Sequence, residues 1–251
     1  MGYQFELSTA GLDILAEDLG FTGTRFPFEI RSVGATLDER AGIREALWQQ
    51  LNSIGLARGY RLEPEVEQGL RLYGHASMEA VLVAGGTDGF RLRARAGAGR
   101  EAAVLAVGAG EQLRFELLRS TEVAAALVRL LPAAPAGSGQ PVTVPVGGPP
   151  SPASPEDQQT MLVGVRPTAS QTAVRAAQEL FASPRPRYGQ FSVSGAGAAA
   201  EVLPWFDTAS GRYLAVTGSD GMGQETVTYQ PVDGHRLLRE LNQRVTAILE
   251  P

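Results

Sequence analysis

Residues 212–249 read "RYLAVTGSDGMGQETVTYQPVDGHRLLRELNQRVTAIL". "RYLAV" and "ETVTYQPV" have the composition of strands, and the Gly-rich residues 218–223 between them are typical of a tight turn. Apolar residues then recur at helical spacing. They are Leu237, Leu241, Val245 and Ile248. The stretch therefore predicts a hairpin followed by a helix at about 234–249.

The same order occurs earlier in the chain. Residues 102–131, "AAVLAVGAGEQLRFELLRSTEVAAALVRLL", also read as strand, Gly-rich turn, strand and helix. A helix is predicted before each sheet region, the second of these at about 169–182. This internal repeat predicts an α+β fold of two pseudo-symmetric halves, each an antiparallel sheet with flanking helices. The halves are residues 1–131 and 157–251, joined by the Pro-, Gly- and Ser-rich loop 132–156, in which "VTVPV" is expected to add an edge strand.

The Gly-rich turn at 218–223 does not predict a nucleotide site. A phosphate-binding loop runs directly into a helix, so that backbone N–H groups and the helix N-terminus meet the anion. This turn runs into the alternating segment "QETVTYQ" instead, and no lysine follows it. We therefore interpret it as a hairpin turn.

Composition excludes several classes of chemistry. The 251 residues include no cysteine, and all 22 basic residues are arginine. Thiol catalysis, disulfides, Schiff-base chemistry and a P-loop lysine are thus excluded. The net charge of −5 disfavours nucleic acid and acidic membranes as partners. No apolar run approaches the ~20 residues of a membrane span, and the acidic N-terminus does not have the pattern of a signal peptide.

Two local patterns carry further predictions. Thr36 and Glu39 form a capping-box pattern that predicts a helix over about 36–54. In the strand around residues 91–96, Leu92, Ala94 and Ala96 alternate with arginines, which predicts one buried face and one arginine-coated face.

The candidate catalytic residues are few. The two histidines, His75 and His235, have no zinc-binding or nucleophile motif around them. Carboxylate pairs at helical spacing have the pattern of solvated faces, and Asp207 and Asp220 have the pattern of turn residues. We therefore predict no enzyme activity, cofactor or metal site. Two alternatives stay open: a small-molecule hydrolase that uses His235 or paired aspartates in a cleft, and a structural homo-oligomer that uses its sheet edges.

Several segments, taken in order, resemble the EspG family of actinobacterial ESX (type VII) secretion chaperones. They are "ALWQQLNSIGLARGYRLEPEVEQGLRLYG" (46–74), "LVRLLP" (127–132) before the Pro-rich loop, "RYGQFSV" (187–193), "FDTASG" (206–211) and "GRYL" (211–214). The resemblance spans residues 5–249. It implies a cytosolic protein, a monomer or weak homodimer when free, that binds the hydrophobic helical tip of a PPE protein in a PE–PPE heterodimer and keeps it soluble for export.

The resemblance also implies a groove between the central sheet and a C-terminal helical bundle. By analogy, the strand at 188–194, the hairpin at 212–230 and the helix at 234–249 are expected to border this groove. The partner-binding residues expected from it are Phe191, Val193, Val227, Tyr229, Leu237 and Leu241.

Overall fold

The computed structural model describes residues 2–146, 169–195 and 200–249. The first half contains β1 (Gln4–Ser8), α1 (Thr9–Asp18), α2 (Leu37–Ser53), β2 (Ala57–Arg58), β3 (Arg61–Leu62), α3 (Pro64–His75), β4 (Met78–Gly86), β5 (Arg91–Ala98), β6 (Ala102–Ala109), β7 (Gln112–Arg119), a 3₁₀ turn (Ser120–Glu122) and α4 (Val123–Arg129). The remaining elements are β8 (Val142–Pro145), α5 (Ala169–Ala182), β9 (Arg187–Gly195), β10 (Glu201–Thr208), β11 (Gly211–Ser219), β12 (Glu225–Pro231) and α6 (Gly234–Leu249).

Ten of these strands form one antiparallel sheet. Its order is β1-β7-β6-β5-β4-β9-β10-β11-β12-β8. Counted outward from the middle of the sheet, the first half has the strand order β4-β5-β6-β7 and the second half has the matching order β9-β10-β11-β12. The α+β class with two pseudo-symmetric halves is thus confirmed. The half-sheets are continuous because β4 pairs with β9, from Met78 opposite Gly195 to Gly86 opposite Arg187.

The helices α4 and α6 cover one side of this sheet, which we call face A. Alternate residues of the central strands point to it, including Leu82, Phe191, Trp205 and Leu214. They pack against apolar residues of α4 and α6 such as Leu127 and Leu241, and all of these side chains are buried. Face A therefore holds a closed hydrophobic core, which stabilises both halves together.

The opposite side, face B, is covered unevenly. Over the first half, α3 packs on β5, β6 and β7, and α1 and α2 complete a second core beside it, with Leu15, Leu51, Leu70 and Phe115 at its centre. Over the second half, α5 is the one helix of the described residues that covers this face, and it lies toward the β8 edge of the sheet. Part of face B between α3 and α5 is consequently left uncovered by the described part of the chain.

Several local predictions are confirmed. The side chain of Thr36 accepts a hydrogen bond from the Glu39 backbone N–H at 3.2 Å, at the start of α2. Residues 219–224 turn a hairpin, in which Asp220 accepts from the N–H groups of Met222 and Gln224, each at 2.9 Å. Residues 142–145 form an edge strand on β12. The predicted boundary loop 132–156 stays a prediction, and its residues 147–156 lie outside the described residues.

The predicted arginine face of β5 is wrong at one position. Arg91 and Arg93 are exposed on face B, whereas Arg95 is buried beneath α3. Arg95 forms an ion pair with Glu79, donates to the carbonyl of Phe26 and lies 5.6 Å from the ring centroid of Tyr73. It is buried because α3 crosses the sheet at this end of β5, so the strand pattern alone could not separate it from its two neighbours.

Candidate partner-binding trough

The uncovered part of face B has a regular floor set by strand register. Two adjacent rows of residues cross it, and each row contains residues that lie directly opposite one another on neighbouring strands. The first row is Arg91, Gly85, Tyr188 and Phe206, and the second is Arg93, Val83, Gln190 and Pro204. Because side chains alternate along a strand, these side chains point to the same face.

A cavity of about 1000 Å³ lies over this floor, and we call it the trough. Its floor comes from β4, β9, β10, β11 and β12, and Phe181 of α5 and the following Arg185 form one wall. Most of the lining is apolar, with Val83, Pro204, Ala215, Val227 and Tyr229 among its residues. Gln190 and Thr217 are exposed although they lie on inner strands of a ten-stranded sheet. Solvent therefore reaches the floor.

An aromatic cluster supports the α5 wall. The ring of Phe181 packs edge-on against Tyr229, with 4.9 Å between centroids, and Phe206 stacks on Tyr213 at 5.6 Å. Such pairs fix ring orientation beyond what burial alone achieves. Burial raises the pKa of Tyr229, and the positive charge of Arg185 opposes that rise. Tyr229 is therefore a neutral hydrogen-bond donor at physiological pH.

The trough has a positive rim. Among the residues that the structure describes, Arg91 and Arg185 line it, whereas no aspartate or glutamate does. The guanidinium carbon of Arg185 lies 5.3 Å from the ring centroid of Phe181 and 5.8 Å from that of Phe206. These distances are in the range of a cation–π contact, which holds the charge at the mouth of the trough.

A family model described as the EspG family matches residues 8–243. The chain belongs to the EspG family. This match confirms the resemblance that was inferred from several sequence segments taken in order. No curated protein matches the chain.

A solved structure shares the EspG fold over almost the whole chain. It is the type VII secretion system chaperone EspG5 of Mycobacterium tuberculosis in complex with a PE25–PPE41 dimer. The match covers 97% of this chain and 96% of that chain at 13% sequence identity, with a TM-score of 0.64. At that identity the likeness establishes the shared fold.

The six residues expected to bind a partner are divided between the two faces. Phe191, Val193, Leu237 and Leu241 lie in the core of face A, where each has an exposed fraction of 0%. Val227 and Tyr229 lie on face B and line the trough. The strand at 188–194 and the hairpin at 212–230 border the trough, whereas α6 packs on face A and does not.

The trough contains residues that the sequence analysis did not select. Gln190 and Tyr188 alternate along β9 with the two buried residues that were selected, Phe191 and Val193. Phe181 and Arg185 lie at and after the end of α5. The sequence could have indicated Gln190, because a polar residue that alternates with buried apolar residues lies on the strand face that points away from the core.

The candidate catalytic residues do not come together. His75 ends α3 and packs edge-on against Phe21 on face B, and His235 lies exposed at the start of α6 on face A. Asp220 caps the hairpin turn, and Asp207 is buried on β10 in an ion pair with Arg212 rather than in a turn. Within the described ranges, no three His, Asp or Glu side chains are grouped so that they could hold a metal ion.

Among the described residues, no helix has both the length and the hydropathy that crossing a bilayer requires.

Proposed function

We propose that this EspG family member is a type VII secretion chaperone that binds the PPE protein of a PE–PPE heterodimer, and that the partner's apolar helical tip docks in the trough on face B. The observation that carries the proposal is a solvent-accessible, mostly apolar cavity of about 1000 Å³ on a sheet face. Family membership and the fold shared with EspG5, which was solved in complex with a PE25–PPE41 dimer, support it.

The part of the trough between Arg91 and Phe206 suits the end of a helix. From Arg91 on β5 to Phe206 on β10 the first row spans three strand spacings, roughly 14 Å at ~4.8 Å each. An α-helix with its side chains is ~10–12 Å across. An apolar tip of that size would displace solvent from the floor and bury apolar side chains on both molecules, which is the usual driving force for helix-in-groove recognition.

Of the six residues expected from the sequence, the proposal keeps Val227 and Tyr229 as partner contacts. Both are part of the trough lining. Phe191, Val193, Leu237 and Leu241 instead hold α6 against the sheet and have no exposed surface to offer a partner. We add Gln190 as a floor contact because it is exposed at the centre of the sheet.

Co-expression tests this proposal. The PE–PPE pairs of the source genome are each co-expressed with the tagged wild-type chain and with the variant Gln190→Glu. We expect one or more pairs to become soluble and to co-purify with the wild type. The variant should lose most of that binding, because docking would remove the new carboxylate charge from water on a mostly apolar floor.

The matched control is Gln243→Glu, the same change at an exposed position on α6. This control should bind the pair as the wild type does. If no pair co-purifies with the wild type, the chaperone function is rejected. If Gln243→Glu abolishes binding and Gln190→Glu does not, the location on face B is rejected.

A further inference from the structure

The charge of the trough differs from that of the chain. The protein carries a net charge of −5, yet within the described part of the chain the charged residues that line the trough are Arg91 and Arg185. Arg93 is a third exposed arginine, in the row next to Arg91 on the same face. A local reversal of sign on an acidic protein is a feature that selects partners, because like charges across an interface are costly.

The two arginines that line the trough have no carboxylate partner among the described residues. Other contacts hold their side chains in place. The guanidinium of Arg185 lies over the rings of Phe181 and Phe206, within 6 Å of both ring centroids. Arg91 donates through Nη1 to the carbonyls of Gly86 at 3.2 Å and Phe90 at 2.9 Å. Several other arginines of the chain do have carboxylates at ion-pair distance, for example Arg40 with Asp13 and Arg212 with Asp207. The guanidinium groups at the trough thus keep N–H donors for a ligand.

Register places the two charges at the two ends of the first row, on opposite sides of the part of the floor that β4 and β9 form. Arg91 begins the first row on β5, and Arg185 lies over Phe206 near the other end of that row. The row spans roughly 14 Å between those strands. A helical tip seated on the floor would have one guanidinium on each flank, and both groups prefer planar, two-oxygen acceptors.

On the basis of the proposed function, we propose that this basic rim is a specificity filter: the chain selects PPE-type partners in which the apolar tip is flanked by at least one aspartate or glutamate side chain, and Arg185 and Arg91 bind that carboxylate. The apolar floor then supplies most of the binding free energy. The rim decides which pairs are accepted, because a partner with a neutral or basic flank leaves these donors unpaired or repels them.

The experiment measures Kd for the PE–PPE pair that co-purifies with the wild-type chain, between about 50 and 500 mM salt. The variants are Arg185→Gln and Arg91→Gln. The matched control is Arg239→Gln, at an exposed position on α6. Thermal unfolding of each variant checks that it is folded. We expect each rim variant to weaken binding about tenfold at low salt and to flatten the salt dependence, and the control to do neither.

Three results separate this inference from the proposed function. Wild-type affinity and salt dependence in both folded rim variants would overturn the filter and leave the chaperone function standing. Weaker binding with an unchanged salt dependence would also overturn it, because the lost contact would then be packing on the rings. Failure of the wild type to bind any pair would reject the proposed function itself. As a positive check, neutralising the acidic residues beside the partner's tip should reproduce the effect of Arg185→Gln.

Discussion

Arg212 shows how a single residue joins distant parts of this chain. Its guanidinium forms a two-pronged ion pair with Asp207, with Nε–Oδ1 2.7 Å and Nη2–Oδ2 3.0 Å, and Nη2 also donates to the carbonyl of Pro132 at 3.0 Å. The group lies 4.7 Å from the ring of Trp205. Both charged residues are almost completely buried. The pair therefore links the β10–β11 hairpin to the segment that leaves α4.

We expect Arg212→Ala to lower the free energy of unfolding by about 3–5 kcal/mol, because it leaves the carboxylate of Asp207 buried without its partner. The control is Arg187→Ala, which breaks the more exposed pair with Asp88 at 3.6 Å and should cost about 0–1 kcal/mol. Denaturant unfolding measures both. Equal losses in the two variants would show that the buried pair does not have this role.

The pairing of Arg212 with Asp207 could have been predicted from the sequence. Asp207 was interpreted as a turn residue, yet the strand register places it directly opposite Arg212 across the turn at Ala209 and Ser210. Opposite charges in such positions on a short hairpin are a recognisable cross-strand pair. Its burial could not be predicted, because it depends on Trp205 and on the carbonyl of Pro132, which is eighty residues away.

The elements themselves were largely predictable. Helical spacing and a Thr cap predicted α2 over about 36–54, and the structure has Leu37–Ser53 with Thr36 as the cap. The stripe at 234–249 predicted α6 with the same bounds. The resemblance to the EspG family placed Leu237 and Leu241 in a groove, whereas both lie in the core. Periodicity could not correct this expectation, because it does not encode which face of the sheet a helix covers.

The segment 132–140 forms no helix or strand, and its contacts to β11 hold it in place. Gly137 donates to the carbonyl of Arg212 at 2.9 Å, and the hydroxyl of Tyr213 donates to the carbonyl of Ser138 at 2.8 Å. A Cβ atom on Gly137 would lie 2.2 Å from the Tyr213 ring. Since Tyr213 stacks on Phe206, this contact also reaches the trough.

We expect Gly137→Ala to destabilise the fold by about 1–3 kcal/mol, because the tyrosine ring or the segment must move to admit the methyl group. Gly221→Ala is the control, since a Cβ there meets no atom within 4 Å, and it should change stability little. Thermal unfolding compares the two. A Gly137→Ala variant as stable as the Gly221→Ala variant would contradict this account of the segment.

For the whole molecule, the internal repeat predicted two related halves but not how they join. The halves meet through β4 and β9, which makes one sheet and one shared core on face A. No sequence pattern specifies that pairing, because strand composition does not determine whether a strand lies at the edge or at the centre of a sheet.

The trough follows from unequal covering of face B. Three helices cover this face in the first half, and α5 covers it near the β8 edge in the second, among the residues that the structure describes. Exposed Gln190 and Tyr188 mark the gap between them. The residue pattern of β9 could identify a second, more polar strand face, whereas the width of the gap depends on where α3 and α5 lie and could not be predicted from sequence.

Site-specific photo-crosslinking is the most direct way to determine whether face B is the docking surface. p-Benzoylphenylalanine replaces Tyr188 at the trough or, as the matched control, Tyr60, which is exposed on the turn between β2 and β3. Each protein is irradiated with the PE–PPE pair that co-purifies, and adducts are identified by mass spectrometry. If the tip docks on face B, we expect crosslinks from position 188 to the helical tip of the PPE protein and none from position 60. Crosslinks from position 60 with none from position 188 would contradict it.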